Sequence, residues 1–85
     1  MMRIRVHLFA RLRDIAQQVM VEVELPAPCT VGQLRAELTR SYPLLEPMLP
    51  HCAIGINGEL ADATAEIPED AEVAILPPVS GGSRA

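Results

Sequence analysis

The sequence predicts an α+β fold, a mixed sheet of about five strands crossed by one main helix. Three observations carry that expectation. Strand-like runs stand near both ends: Ile4-Arg5-Val6-His7-Leu8 alternates apolar and polar residues with period two, and Val73 and Ile75 share one face of a run with Leu76 on the other. The middle holds one amphipathic stretch with a capping signature, Thr30-Val31-Gly32-Gln33. Between that stretch and the last strand lies Asn57-Gly58, the strongest short hairpin signal, because a type I′ turn needs positive φ at both positions.

Arg3 to Phe9 is the first strand. Ile4, Val6 and Leu8 share its core face; Arg3, Arg5, His7 and Phe9 share the other. From Ala10 to Gln17 the period changes, with Leu12, Ile15 and Ala16 at helical spacing, so a short helix or helical turn follows. Alternation then returns, with Val19, Val21, Val23 and Leu25 expected inward and Met20, Glu22 and Glu24 outward. The short separation favours a hairpin-like pair with the first strand.

Pro26-Ala27-Pro28-Cys29 is a loop, and Cys29 is expected near the surface. Thr30 then caps a helix whose apolar stripe is Val31, Leu34 and Leu38, with Tyr42 at its end; Arg35, Glu37 and Arg40 are expected on the wet side. Pro43 stops the helix near Ser41-Tyr42 by disfavouring helical backbone in the residue before it. Leu44 to Pro50 reads as a packed loop with one 3₁₀ turn. Cys52, Ile54 and Ile56 alternate as a third strand, and Glu59-Leu60 begins a short return. Asp62 to Asp70 is an acidic loop anchored by Ile67, and Ala71 to Leu76 is the last strand. The ββαβ order with a sheet-crossing helix is a β-grasp arrangement, expected over residues 1–78. A flexible tail, residues 79–85, carries Gly81-Gly82.

Composition narrows the function classes. The 85 residues carry a net charge of −4 and only two rings of the Phe, Tyr or Trp type, Phe9 and Tyr42. Such a chain is a poor nucleic-acid binder, since phosphate binding needs clustered cations and base stacking needs aromatics. From Glu59 to Glu72 every charge is acidic, whereas Arg3, Arg5, Arg11 and Arg13 crowd the start; a mixed-charge surface of this kind fits a protein partner. All seven basic residues are Arg, which excludes lysine Schiff-base chemistry and lysine-linked chains of the protein itself. No apolar run approaches the ~20 residues of a membrane span, and the opening lacks a signal-peptide apolar region, so a cytoplasmic, membrane-free protein is expected. Cys29 and Cys52 form no CxxC, and neither they nor the two histidines have zinc spacing, so no metal site is expected and both cysteines are expected as thiols.

Phe9 and Leu76 have the opposite parity from the core residues of their strands, and Leu60 is expected near them. Apolar groups gathered on the face away from the helix suggest a partner. Beyond Leu76, Pro77 and Pro78 cannot donate to a sheet ladder, so the chain leaves the body there as an arm.

Leu8-Phe9-Ala10-Arg11-Leu12-Arg13, Ile56-Asn57-Gly58-Glu59 and, most specifically, the block from Glu69 through Pro77-Pro78-Val79-Ser80-Gly81-Gly82 resemble molybdopterin synthase small subunits. These belong to the ThiS/MoaD sulfur carriers, a ubiquitin-like family, and the likeness runs from Ile4 to Gly82. The resemblance implies that the Gly82 carboxylate is adenylated by an E1-like adenylyltransferase using ATP and then converted to a thiocarboxylate, with Gly81 giving the slender access. It implies delivery of that sulfur to cyclic pyranopterin monophosphate in complex with a large subunit, in a heterotetramer with no tightly bound cofactor. It also implies partner contacts through Phe9, Leu60, Leu76, Pro77, Pro78 and Val79. The family pattern closes at the second glycine, whereas here Ser83-Arg84-Ala85 follow and lock Gly82 in a peptide bond. Either a protease trims them, or the chain is inactive, or they are foreign to the native chain. The alternative readings are a carrier for thiamin or tRNA thiolation, a ubiquitin-like modifier conjugated through Gly82, and a non-catalytic interaction domain.

Overall fold

The computed structural model describes residues 1–78. Its strands are β1 (Met2–Leu8), β2 (Met20–Leu25), β3 (Ala53–Ile56), β4 (Glu59–Ala61) and β5 (Glu72–Leu76); its helices are α1 (Arg11–Ala16) and α2 (Val31–Ser41). The strands form one sheet in the order β2-β1-β5-β3-β4. β1 and β5 run parallel, and every other neighbour is antiparallel. This is the β-grasp arrangement that the element order predicted.

The core lies on one sheet face, beneath α2. Ile4, Val6 and Leu8 of β1, Val21 and Val23 of β2, Ile54 of β3 and Val73 and Ile75 of β5 meet Val31, Leu34 and Leu38 of α2, all buried. Each is apolar because it alternates inward from its strand or recurs along one side of the helix. α2 starts where the capping box placed it. The Gln33 amide N–H donates to Thr30 Oγ1 at 3.2 Å, and the Thr30 N–H donates to Gln33 Oε1 at 2.8 Å. Two further N–H groups of the first turn find carbonyls in the acidic loop: Val31 donates to Ala65 at 3.0 Å and Gly32 to Ala63 at 2.9 Å. Ile67 N–H donates to the Cys29 carbonyl at 2.9 Å, and its side chain is buried, so the acidic loop is pinned as expected.

Four sequence expectations are corrected. Val19 does not point inward: it occupies a bend just before β2 begins, where strand alternation no longer governs its direction, and it is 66% exposed. Cys29 is buried, its Sγ 3.9 Å from Met2 Sδ, because the loop folds back beneath the start of β1. Arg35 leaves the wet side of α2; its guanidinium donates to the carbonyls of Leu49 and, at 3.2 Å, Cys52. The stretch after Pro43 contains two 3₁₀ turns rather than one, Pro43–Leu45 and Leu49–His51, each driving one leucine, Leu45 or Leu49, into the core. Val79, Gly81, Gly82 and Ser83-Arg84-Ala85 lie outside the described residues.

Candidate partner-docking site

The sheet face away from α2 divides into two halves, and the register shows why. His7 pairs with Ala74, Ala74 with Gly55, and Gly55 with Leu60, so one row of outward positions crosses four strands. In the neighbouring row Leu76 pairs with Ala53. Phe9 follows His7 by two residues, so it comes to the same side just past the end of β1. Phe9 is 44% exposed, Leu76 39% and Leu60 74%. The half built on β5, β3 and β4 therefore has a floor of Ala53, Gly55 and Ala74 with three large apolar side chains rising around it.

The other half, on β1 and β2, is charged. Arg3 lies 3.4 Å from Glu24 and 3.9 Å from Glu22, and Arg5 lies 3.5 Å from Glu22. These exposed pairs contribute at most about 1 kcal/mol each. Their effect is to keep that half hydrated, so the dry area is confined to the side from which the chain leaves β5. Pro77 there is half-buried and Pro78 exposed. The structure thus brings Phe9, Leu60 and Leu76 to one face and sets Pro77 and Pro78 at its end.

The sequence reading missed the floor. Ala53 and Ala74 have outward parity in apolar strands, and that was the available signal. Gly55 carries no side chain to assign; a Cβ built there would lie 3.4 Å from the Glu59 carbonyl oxygen, in ordinary contact, raising the floor without breaking the strand. The hairpin beside it is also tied more firmly than Asn-Gly alone foretells. Asn57 and Gly58 have φ of 51° and 86°, the Asn57 N–H donates to the Glu72 carbonyl at 2.8 Å, and the Glu72 N–H donates to Asn57 Oδ1 at 2.9 Å.

The two thiols stand apart from this face. Burial pushes both Cys29 and Cys52 up, reinforced at Cys29 by the Glu66 carboxylate and opposed at Cys52 by the Arg35 guanidinium, so both stay protonated at neutral pH. Among the described residues no group of three or more His, Cys, Asp or Glu side chains could hold a metal ion, and no helix is long and apolar enough to cross a membrane.

A five-stranded β-grasp sheet crossed by α2 defines the ubiquitin-like fold. The family model described as the ThiS family matches residues 6–82, and the chain belongs to that family. The molybdopterin synthase sulfur carrier subunit of Arabidopsis thaliana is 32% identical over 79 residues, covering 93% of this chain and 82% of the relative. The crystal structure of SAMP1, a small archaeal modifier protein from Haloferax volcanii, superposes with a TM-score of 0.82 at 31% identity, covering 94% of this chain and 99% of that one. A chain of the protein–protein complex of subunit 1 and 2 of the molybdopterin-converting factor from Helicobacter pylori matches with a TM-score of 0.69 at 27% identity, covering 95% of this chain and 100% of that one.

Proposed function

We propose that this chain is the sulfur-carrying small subunit of a molybdopterin synthase. The observation that carries the reading is the 32% identity to a molybdopterin synthase sulfur carrier subunit across 93% of the chain. The docking face adds a physical reason. A partner that grips Phe9, Leu60 and Leu76 holds the point where β5 ends, so the residues beyond Pro78 are aimed into that partner. Val79 extends the grip, and Gly81 and Gly82, lacking side chains, pass where bulkier residues would be stopped.

The carboxylate of Gly82 is a poor acyl donor until it is activated. An E1-like adenylyltransferase joins it to the AMP moiety of ATP, with pyrophosphate leaving. A sulfur donor then displaces AMP and leaves the thiocarboxylate. Docked on the large subunit, which supplies the acid and base groups, the carrier gives its sulfur to cyclic pyranopterin monophosphate. Ser83-Arg84-Ala85 must be removed first, by a protease, because a peptide bond at Gly82 leaves no carboxylate to adenylate. The work is assigned to the cytoplasm, where ATP is abundant.

The test is to incubate the full-length chain and a chain ending at Gly82 with the activating enzyme, ATP and a sulfur donor, then weigh both. The shorter chain gains the mass difference of one oxygen replaced by sulfur; the full-length chain does not. Gly82→Ala in the shorter chain slows the reaction by roughly 100-fold, since a misplaced reacting atom loses rate on that scale. Thiocarboxylate on a full-length chain that has kept its last three residues overturns the mechanism. Failure of the shorter chain to react, with an enzyme shown to be active on its own carrier, overturns the carrier reading. The likeness to SAMP1 favours a second reading, a protein modifier; it would be recognised by Gly82 joined to lysines of other proteins.

A further inference from the structure

We propose that Ala10 is a positioning residue, holding Phe9 on the docking face through a strained turn. Ala10 has φ 54° and ψ −126°. That conformation belongs to the first central position of a type II′ turn, where glycine is preferred because a Cβ crowds the backbone. The turn is closed: Leu12 N–H donates to the Phe9 carbonyl at 3.1 Å, and Asp14 N–H donates to the Ala10 carbonyl at 3.2 Å to open α1.

Among the described residues three other non-glycine positions have positive φ, and each has a milder explanation. Gln17 caps α1 in the ordinary left-handed well, at ψ 34°. Asn57 and Asp70 are residue types that tolerate left-handed backbone. Ala10 has neither excuse. Strain of this kind persists only where the surroundings over-determine it, and it gathers where geometry matters for function.

Here the surroundings are two buried anchors. Leu8, 2% exposed, ends β1 with its N–H on the Val19 carbonyl at 2.9 Å, and Leu12 is fully buried in the core. Between them the chain must reverse within one turn while Phe9 stays outside. With Leu8 and Leu12 anchored, closing the turn demands positive φ at position 10, a region where an L-residue has far fewer accessible conformations than glycine, so the Phe9 backbone is fixed before any partner arrives. Glycine would relieve the crowding and also free the turn, moving the ordering cost of Phe9 to the moment of binding.

This inference rests on the docking reading, and the experiment separates the two. The full chain is prepared as wild type, Ala10→Gly, Ala10→D-alanine by chemical synthesis, and Phe9→Ala. Each is titrated calorimetrically against the large subunit, and each Tm is recorded. D-alanine suits positive φ and keeps the turn restricted, so it removes the strain without adding freedom. The expected result is that Ala10→Gly keeps or raises Tm yet weakens binding about 3- to 10-fold, while Ala10→D-alanine raises Tm and binds within twofold of wild type. Equal binding by the Gly and D-alanine variants overturns the positioning role and leaves Ala10 as a turn residue of the fold. If Phe9→Ala loses affinity while Ala10→Gly does not, docking stands and positioning falls. If Phe9→Ala binds like wild type, both fail.

Discussion

Ile75 and Leu76 are adjacent in β5, yet one should govern stability and the other binding. Ile75 is fully buried, paired with Ile54 in the core, whereas Leu76 is 39% exposed on the opposite face. Ile75→Ala removes methyl and methylene groups from a packed interior and should cost about 2–5 kcal/mol of unfolding free energy. For Leu76, full burial of such a side chain is worth about 1.5–3 kcal/mol; with 39% of the residue still exposed, roughly six-tenths of that applies, about 1–2 kcal/mol. No cavity forms, because the site opens to water. Against the large subunit the order reverses. An apolar anchor at the centre of an interface is worth about 2 kcal/mol or more, so Leu76→Ala should weaken Kd by roughly 30-fold. The assays are urea unfolding and calorimetric titration, with Ile75→Val as a folded control that should bind like wild type. The reasoning is refuted if Leu76→Ala destabilises as much as Ile75→Ala and leaves Kd unchanged among folded molecules.

Arg35→Met keeps the alkyl stem but strips the donors from the Leu49 and Cys52 carbonyls, and should lower stability by about 2 kcal/mol in urea unfolding. Asn57→Ala loses both the bond from Glu72 N–H and the tolerance of positive φ, whereas Asn57→Gly loses only the bond; chemical denaturation should rank Ala as the costlier change, by about 1 kcal/mol. The thiols predict a pH effect. Their folded pKa values lie above the ordinary 9.0, so the stability they contribute is complete below that value and is lost as pH climbs through it toward the folded values. Unfolding midpoints of wild type should therefore fall more steeply above pH 9 than those of the Cys29→Ala, Cys52→Ala double variant; parallel curves would disprove it.

Much of this was legible because the cues were local. Ile4, Val6 and Leu8 had to be buried together once the strand was recognised, and Thr30 with Gln33 fixed the start of α2 through bonds three residues apart. The opposite parity of Phe9 and Leu76 marked them as outward-facing for the same reason. What stayed hidden depended on distant partners. Nothing near Arg35 in sequence announces that its guanidinium reaches carbonyls fourteen and seventeen residues on. Cys29 looked exposed because its cover, Met2, lies 27 positions away. Gly55 was silent because a residue with no side chain has no parity to read. The strain at Ala10 could not be foreseen, since alanine there gives no hint of positive φ.

β5 has a consequence for the order of assembly. Among the described residues it is the only link in the sheet between the β2-β1 pair and the β3-β4 hairpin, and it is the last of the described strands. Without residues 72–76 the two strand pairs would have bare inner edges and no central strand to join them. Closing the parallel β1–β5 pair spans most of the described residues, so the rate of collapse into the final sheet should be set by this one long-range closure. The same insertion lays Leu76 beside Ala53 and completes the apolar face, so that face exists only once the sheet has closed.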